Sequence, residues 1–349
     1  MNLNRRIGGG ECHFGRSLLR QRSFFEIGQL LITPPSGFNR QPRASPDLQR
    51  QIRQHPLNRL ALGQAAAKRH AVARMPGASS VIAANYVYNL AKADGLTILV
   101  PINSLYLDQI VGRKEVKFDV RKFEFIGTQE KAPTLLYFRA DSPFKTLDDI
   151  IKAKEPPKCG STGTASTGYL LAKIMDEAFK AKLNTVSGYQ GGAEIDVAVE
   201  RGEIICRGMD IPPHFGREPF DSWHKKGFDR HILQSGPKRD PRMGDAPTLF
   251  ELMDQFKTPA VMRGVARVIM ASGDFGRPML IGPGNPPDRV KILREAYAKA
   301  MHDPGLIDEA KKSQMDMEYT PGEDLQTLMK ELMNQPRDVI DRVKNVLAD

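Results

Sequence analysis

The chain has 349 residues and a mass of 38.9 kDa, enough for about two domains of ordinary size. Hydrophobic residues make up 40% of the sequence and charged residues 26%, and no apolar run approaches the roughly 20 residues of a membrane-spanning helix. These values exclude an integral membrane protein and a small scaffold held together by disulfides.

The net charge of +10 comes entirely from the beginning of the chain. Residues 1–74 contain 13 basic side chains, twelve of them Arg, and three acidic ones, which leaves 38 basic and 38 acidic side chains in residues 75–349. A generally basic face on the main body is therefore not supported, and we expect no nucleic-acid partner.

Residues 1–74 also lack a sustained helical or alternating apolar period, which predicts a poorly folded segment. An Arg-rich, acid-poor start is typical of an organellar transit peptide, and a basic arm for nucleic acid is a second interpretation. Arg5-Arg6 is not followed by an apolar stretch, so no secretory signal is visible. The favoured interpretation is translation from a wrong frame or a wrong start, because Arg, Pro, Gln, Ala and Gly are frequent products of shifted GC-rich codons.

From Met75 onwards, predicted helices and strands alternate. Thr146 is a candidate cap for the helix that it opens, and residues 212–246 are predicted to be rich in loops. Strands that lead into helices through short loops predict an α/β fold with mostly parallel sheets. The predicted strands cover 96–101, 123–127, 134–139, 184–187, 204–206 and 231–234, and the predicted helices cover 81–90, 146–151, 169–179, 191–201, 261–271, 287–302, 304–313 and 322–347 with a break at Pro336.

The loop from Gly160 to Gly168 is the most informative segment. Small residues allow backbone N–H groups to approach a ligand, hydroxyls add donors, and the following helix offers the positive end of its dipole to a phosphate or carboxylate. Tyr169 stands where a phosphate-binding loop requires Lys, and no GxGxxG fingerprint occurs. A simple capped helix start is the alternative. The candidate ligand residues are Ser161, Thr162, Gly163, Thr164, Ala165, Ser166 and Thr167.

A second loop, Ser187 to Glu194, repeats this chemistry with paired glycines and an aromatic ring at a helix start. If the strands are parallel, both loops lie at the same edge of the sheet, where α/β proteins bind ligands. The alternative is a Gly-rich turn with its Tyr in the core. The candidate ligand residues here are Tyr189, Gly191, Gly192, Ala193 and Glu194, whereas Asp196 and Glu200 are expected to be solvated.

The sequence predicts no catalytic residue, metal site or cofactor. No GxSxG elbow occurs, and His214, His224 and His231 match no zinc motif and are interpreted as surface or capping residues. The three cysteines form no CxxC pair and are odd in number, so neither a zinc site nor a complete disulfide framework is suggested.

Several short motifs occur in an order and at a spacing that resemble the solute receptors of the tripartite tricarboxylate transporter family, the Bug-type periplasmic binding proteins. The resemblance covers residues 74–349. It rests on Met75-Pro76-Gly77-Ala78, Ala83-Ala84-Asn85-Tyr86, Asp94-Gly95, Gly160-Ser161-Thr162-Gly163, Gly188-Tyr189-Gln190-Gly191-Gly192-Ala193-Glu194-Ile195, Glu200-Arg201-Gly202-Glu203, Phe275-Gly276-Arg277-Pro278, Pro286-Pro287-Asp288-Arg289-Val290 and Met301-His302-Asp303-Pro304.

The resemblance implies a two-lobed, type II periplasmic-binding-protein fold that is not an enzyme. Residues 75–129 and 236–349 would form lobe 1 and residues 130–235 lobe 2, with a small organic acid held between them. A periplasmic monomer that serves the membrane permease subunits of a transporter is implied. The alternative is a hydrolase or transferase that uses the Gly160–Gly168 loop as an anion hole.

The sequence departs from the family before Met75. Family members begin with a signal peptide, a first strand and a Gly-rich ligand loop, and residues 58–70 resemble neither the strand nor the loop. This departure predicts a defective or misannotated member of the family that lacks the first strand and ligand loop and is retained in the cytoplasm.

Overall fold

The computed structural model describes residues 29–32, 71–75 and 80–348. Eleven strands in this part of the chain form two sheets. In chain order they are β1 Gln29–Ile32, β2 Ala71–Arg74, β3 Thr97–Val100, β4 Glu124–Thr128, β5 Thr134–Arg139, β6 Lys158–Gly160, β7 Asn184–Val186, β8 Cys206–Asp210, β9 Asp229–Gln234, β10 Met279–Ile281 and β11 Thr320–Pro321.

Helices connect and cover these strands, so the predicted α/β class is confirmed. Thr146 caps its helix as predicted, since its side chain accepts a hydrogen bond from Asp149 N–H in a capping box. The α-helices are α1 Val81–Asn89, α2 Leu105–Val111, α3 Leu147–Ile151, α4 Thr167–Phe179, α5 Gly192–Glu200, α6 Ile211–Phe215, α7 Phe220–Lys226, α8 Leu249–Gln255, α9 Ala260–Met270, α10 Ser272–Phe275, α11 Pro287–Met301, α12 Pro304–Lys312, α13 Gly322–Met333 and α14 Arg337–Leu347.

The first sheet has the spatial order β11-β4-β10-β3-β1-β2, and all of these neighbours are antiparallel. This differs from the expected mostly parallel arrangement. The reason is that β10, which comes from late in the chain, lies between β3 and β4 and runs against both of them. Strands β3 and β4 are therefore parallel to each other, although no hydrogen bonds join them directly.

The second sheet has the order β7-β6-β8-β5-β9 and mixes both directions. β6 is parallel to β7 and to β8, as expected, whereas β5 is antiparallel to β8 and to β9. The carboxyl ends of β6, β7 and β8 therefore lie at one edge of this sheet.

Helix α9 joins the two halves of the molecule. Its residues Val265 and Ile269 are fully buried in an apolar cluster that includes Leu99 of the first sheet and Leu136 and Phe138 of the second. α9 packs against α4, which follows a strand of the second sheet, and against α14 at the carboxyl end of the chain. The core is therefore continuous between the two sheets.

Most predicted elements are confirmed within one or two residues, but the segment after residue 203 is different. The strand predicted at 204–206 begins only at Cys206 and runs to Asp210. Two short helices, α6 and α7, occupy part of the region that was predicted to be loop-rich. The proline at the start of α6 is tolerated in the first turn of a helix, where its missing N–H costs no hydrogen bond.

Of the segment before Met75, the structure describes two four-residue strands, β1 and β2. β1 pairs with β2 and with β3, Leu30 lying opposite Ala73 and Leu99. The other residues of 1–74 lie outside the described residues, so the irregular character predicted for this segment stays a prediction.

Candidate functional site

The carboxyl ends of β6 and β7 bring the two predicted ligand loops together. Parallel pairing places Gly160, the last residue of β6, beside Val186, the last residue of β7. The backbone N–H of Ser161 then donates to the carbonyl of Val186 across 2.9 Å. This hydrogen bond therefore ties the start of the first loop to the end of β7, and the second loop begins directly after β7.

Two serine hydroxyls hold the first loop in shape. Ser161 Oγ accepts a hydrogen bond from Gly163 N–H at 3.1 Å and lies 2.8 Å from Ser166 Oγ. Ser166 Oγ also donates to the carbonyl of Gly163 at 2.8 Å and accepts from Tyr169 N–H at 3.4 Å, which caps α4. Gly163 has φ +150°, a conformation that side chains disfavour. Both predicted serine donors thus stabilise the loop itself.

The remaining polar groups of this loop are available for a ligand. Thr164 is exposed, and Thr162 and Ala165 are partly exposed. Among the described residues, the hydroxyls of Thr162 and Thr164 and the N–H groups of Thr162, Thr164 and Ala165 have no hydrogen-bond partner. Together with the amino end of α4 they form a set of donors suited to an anion.

Thr167 is engaged by a buried carboxylate. Its hydroxyl donates to Asp210 Oδ1 at 2.9 Å, and this bond joins the start of α4 to the end of β8. Asp210 is 5% exposed, and burial raises the pKa of its carboxyl while the nearby Arg277 opposes the shift. Thr167 therefore positions the loop, although it was predicted to bind the ligand.

The second loop divides into structural and accessible residues. Gln190 N–H donates to Glu194 Oε2 at 2.8 Å, so the Glu194 side chain caps the start of its own helix, α5. Tyr189 packs partly buried against an apolar cluster that contains Ile195. Gly191 and Ala193 are the other two candidate ligand residues of this loop. A Cβ atom added at Gly191 would meet no atom within 4 Å.

Gly192 is held by a buried arginine. Arg207 Nη1 donates to the carbonyl of Gly192 at 3.1 Å, and a Cβ on Gly192 would lie 2.4 Å from Arg207 Nη2. Arg207 also pairs with Asp196, whose second carboxylate oxygen lies 3.5 Å from Arg217 Nη2. Gly192 is thus packed against Arg207, and its predicted contact with a ligand stays a prediction.

The prediction that Asp196 is solvated is wrong. Asp196 is 2% exposed, since it faces inward from α5 onto Arg207 of β8, and no pattern in the sequence predicted this pair. Burial raises the pKa of the Asp196 carboxyl, and the charge of Arg207 opposes this. Glu200, by contrast, is exposed as predicted and accepts a hydrogen bond from Trp223 Nε1 at 3.0 Å.

The interpretation of the histidines as surface or capping residues is also wrong. His214 is 0% exposed, and its Nε2 lies 3.0 Å from Asp229 Oδ2. Burial lowers the pKa of His214 to about 4, against the raising effect of Asp229. Spacing along the chain could not show this contact, because the histidines and Asp229 lie on three different elements.

Cys159 and Cys206 form a disulfide between β6 and β8. They occupy paired positions on these neighbouring strands, although 47 residues separate them in sequence. The sequence left their state open because an odd number of cysteines does not identify the pair. The bond joins the two strands from which the ligand loop and Asp210 extend.

The Phe275-Gly276-Arg277-Pro278 motif lies where the chain passes between the two sheets. Arg277 Nε donates to Glu130 Oε1 at 3.0 Å, and its backbone N–H donates to Thr128 Oγ1 at 2.9 Å. A Cβ on Gly276 would lie 1.8 Å from the Glu130 carbonyl, so only glycine fits. The motif therefore joins the crossing segment to the end of α10.

Two surface cavities lie away from the predicted loops. One of about 440 Å³ is lined by residues of β4, α11 and α13, among them Glu124, Lys291 and Arg294. A smaller one of about 30 Å³ lies near Pro133 and Ser235. None of the twelve predicted ligand residues lines either of these two cavities.

Comparison with known proteins identifies one family. The family described as the tripartite tricarboxylate transporter family receptor matches residues 58–345. No curated protein matches the sequence. Among the described helices, none combines the length and the apolar character needed to cross a membrane.

Solved structures resemble the fold at low sequence identity. A TctC solute-binding protein from Polaromonas has a TM-score of 0.57 at 20% identity, with 78% of this chain and 84% of that protein covered. A Rhodopseudomonas palustris protein with adipate has a TM-score of 0.54 at 18% identity, with 78% and 84% covered. MatC from the same organism, with bound malate, has a TM-score of 0.52 at 17% identity, with 78% and 86% covered. At such identities the likeness concerns the fold.

Proposed function

The chain belongs to the tripartite tricarboxylate transporter receptor family, as its motifs predicted, and we propose that it binds a small organic carboxylate between two lobes. This family consists of solute receptors, which contradicts the hydrolase or transferase alternative. In the proposal, residues 75–129 and 236–349 form lobe 1, and residues 130–235 form lobe 2. The formation of separate sheets by residues 134–234 and by strands on either side of them supports this division.

The observation that carries the proposal is the set of unpartnered donors on the first loop. Thr162, Thr164 and Ala165 present N–H groups beside the amino end of α4, and two of them add hydroxyls. A carboxylate accepts several such hydrogen bonds at once and is favoured by the positive end of the helix dipole. Two structural relatives that contain adipate and malate support the same class of ligand.

Gly191 and Ala193 complete the proposed site from the second loop. Gly191 is extended, with φ −172°, and its Cα faces open space. The start of the first loop is hydrogen-bonded to the end of the strand that leads to Gly191, which supports placing both loops around one ligand. The other predicted residues, Ser161, Ser166, Thr167, Tyr189, Gly192 and Glu194, then act by shaping the two loops.

Family membership supports delivery of the ligand to the membrane permease subunits of a transporter from the periplasm, and we propose that the chain does this as a monomer. The Cys159–Cys206 disulfide is consistent with an oxidising compartment. Residues 58–70 resemble no Gly-rich ligand loop, so lobe 1 would add few contacts and the ligand would be held mainly by lobe 2. This predicts weaker binding than in a receptor with both sets of loops.

The test is a screen of C4 to C6 dicarboxylates and tricarboxylates by thermal shift, followed by calorimetry on Gly191→Ala and Gly191→Val. Valine adds bulk where no atom lies within 4 Å, so we expect it to weaken binding by about 1 to 3 kcal/mol, with a smaller loss for alanine.

The corresponding diamides serve as the ligand control, because they keep the shape and remove the charge. Unfolding of both Gly191 variants at the temperature of the parent chain would show that the loss is local. The proposal is contradicted if no acid in the screen binds, if the diamides bind equally well, or if valine leaves the affinity unchanged.

A further inference from the structure

Four side chains that commonly bind metals converge beside the second sheet. His214 lies in α6, His224 in α7, and Asp229 and His231 on β9. Alternate residues of a strand face the same side, so Asp229 and His231 project together from β9. The cluster lies outside the two loops proposed for the carboxylate.

The polar contacts of His214 Nε2 in this cluster are too many for ordinary hydrogen bonds alone. His214 Nε2 lies 3.0 Å from Asp229 Oδ2, 3.0 Å from His231 Nε2 and 3.1 Å from His224 Nε2. Asp229 Oδ2 lies 3.3 Å from His231 Nε2 and 3.4 Å from His224 Nε2. One ring nitrogen has a single proton or a single lone pair, so His214 Nε2 cannot form three hydrogen bonds at once.

We propose that His214, His224, Asp229 and His231 bind one divalent transition-metal ion, with zinc as the best fit. Four ligand atoms at about 2.0 to 2.1 Å from a tetrahedral zinc ion are separated by about 3.3 Å. Five of the six separations lie between 3.0 and 3.4 Å, and all of the ligand atoms lie within 4.8 Å of one another. Three imidazoles and one carboxylate are a nitrogen and oxygen donor set that zinc accepts.

The surroundings suit a structural ion. His214 and the Asp229 side chain are 0% and 1% exposed, whereas the His224 side chain is 24% exposed and so offers a route for the ion. The His214 ring packs on Phe220 and Tyr137 at centroid distances of 4.5 and 5.2 Å. Four protein ligands would leave no position for a substrate, which is typical of a structural zinc site.

One feature departs from common metal sites. His214 Nδ1 is buried and has no hydrogen-bond partner among the described residues, whereas a metal-bound histidine usually donates from its second nitrogen to an oxygen. The orientation of this ring is therefore set by its aromatic neighbours and by the other three ligands. Metal binding would thus depend strongly on the packing of Phe220 and Tyr137.

The ion would hold together a segment that reaches the other half of the molecule. It would tie α6 and α7 to β9, and Phe215, the last residue of α6, carries the Arg242 guanidinium over its ring at 4.9 Å. Arg242 in turn pairs with Asp316, which precedes β11 of the first sheet, at 2.8 Å. Zinc would therefore stabilise the face of the second sheet that contacts the first.

The test uses the full chain, stripped with a chelator, dialysed and titrated with zinc alone against a chromogenic chelator. His224→Ala and His231→Ala are the variants, since both residues are less buried than His214, and His302→Ala is the control at an exposed histidine outside the cluster. We expect the parent chain and the control to bind one more zinc ion than either cluster variant, with sub-micromolar affinity.

Zinc should also raise the melting temperature of the parent chain and of the control, but not that of the cluster variants. X-ray absorption of the loaded protein should show imidazole scattering with a first shell of nitrogen and oxygen. Because the result is a difference between variants, zinc held elsewhere on the chain does not affect it. Equal zinc content in all four proteins, or a first shell without imidazole, would overturn the proposal, and neither result bears on carboxylate binding.

Discussion

In the first sheet every strand pair among the described residues is antiparallel, whereas β6, β7 and β8 of the second sheet run parallel. Parallel strands end at the same edge, and each is followed by a loop and a helix whose amino end points toward that edge. The unpartnered donors of the proposed site therefore collect on the second sheet. In the first sheet β3 and β4 also run parallel to each other, but the antiparallel β10 lies between them, so their carboxyl ends do not belong to neighbouring strands.

The two halves also differ in how far an ion pair of each is exposed to water. Beneath the second loop, the ion pair of Asp196 and Arg207 is 3% and 4% exposed. Beside the first sheet, Arg294 reaches Glu323 at 3.2 Å, and that carboxylate is 60% exposed. The pair beside the second sheet is therefore buried, whereas the carboxylate of the pair beside the first sheet is exposed to water. Three changes test this contrast.

The largest effect is expected from Asp196→Asn. The substitution keeps the shape of the side chain and leaves the buried Arg207 guanidinium without its counterion, which should lower the free energy of unfolding by about 3 to 5 kcal/mol. Urea unfolding followed by circular dichroism measures the loss. The matched change on the first sheet, Glu323→Gln, should cost less than about 1 kcal/mol because water already screens that pair. Equal losses in the two variants would remove the contrast.

An intermediate effect is expected from the disulfide. Replacing Cys159 and Cys206 together by Ala removes a cross-link between positions 47 residues apart, which should cost about 2 to 4 kcal/mol. A reducing agent should shift the unfolding midpoint of the parent chain and leave that of the double variant in place. Cys12→Ser, which changes the third cysteine, should keep the parent's sensitivity to reduction. A parent midpoint that does not respond to reduction would show that the two thiols are unpaired.

The smallest effect concerns the pH dependence of stability. Burial raises the pKa of Asp210 in the folded chain above its ordinary 3.8. The contribution of the Asp210 carboxyl to the free energy of unfolding is therefore fully present below pH 3.8 and is lost as pH rises through the folded pKa. Asp210→Asn should therefore gain stability relative to the parent chain as pH rises from 3.8, while the amide oxygen still accepts from Thr167.

Asp119, near the first sheet, provides the opposite sign. Its carboxylate accepts hydrogen bonds from Arg121, and these lower its pKa below the ordinary 3.8. The contribution of this carboxylate to the free energy of unfolding is therefore present above pH 3.8 and is lost as pH falls through the folded pKa. Asp119→Asn should thus be destabilised at neutral pH and approach the parent chain in acid. Unfolding curves at several pH values give both slopes. Slopes of the same sign in the two variants would contradict the assignment of Asp210 as a desolvated carboxyl.

Much of the local structure could be predicted from short stretches of sequence. The Thr146 cap depends on a residue three positions later, and the break at Pro336 separates α13 from α14 as predicted. Glycine, serine and threonine between a strand and a helix also predicted the two loops at one edge. In each case the interacting groups lie close in sequence, so propensity and spacing carry the information.

The roles within those loops could be predicted only in part. Composition indicated donors at Ser161 and Ser166, but the structure shows that these hydroxyls bond to each other and to Gly163. The carbonyl of Gly192 likewise accepts a hydrogen bond from the buried Arg207, which the loop sequence did not indicate. The sequence of a loop gives the types of its polar groups. It does not show which of these groups already form hydrogen bonds within the protein.

The sequence by itself determined the family, the α/β class and the positions of most helices and strands, because apolar periodicity, caps and turn residues act over a few positions. Tertiary structure alone decided the direction of the first-sheet strands, the Cys159–Cys206 pair, the burial of Asp196 against Arg207 and the meeting of three histidines with Asp229. Each of these contacts joins elements that are remote along the chain or turned toward each other by packing. Such contacts depend on the arrangement of whole sheets and helices, which no local pattern records.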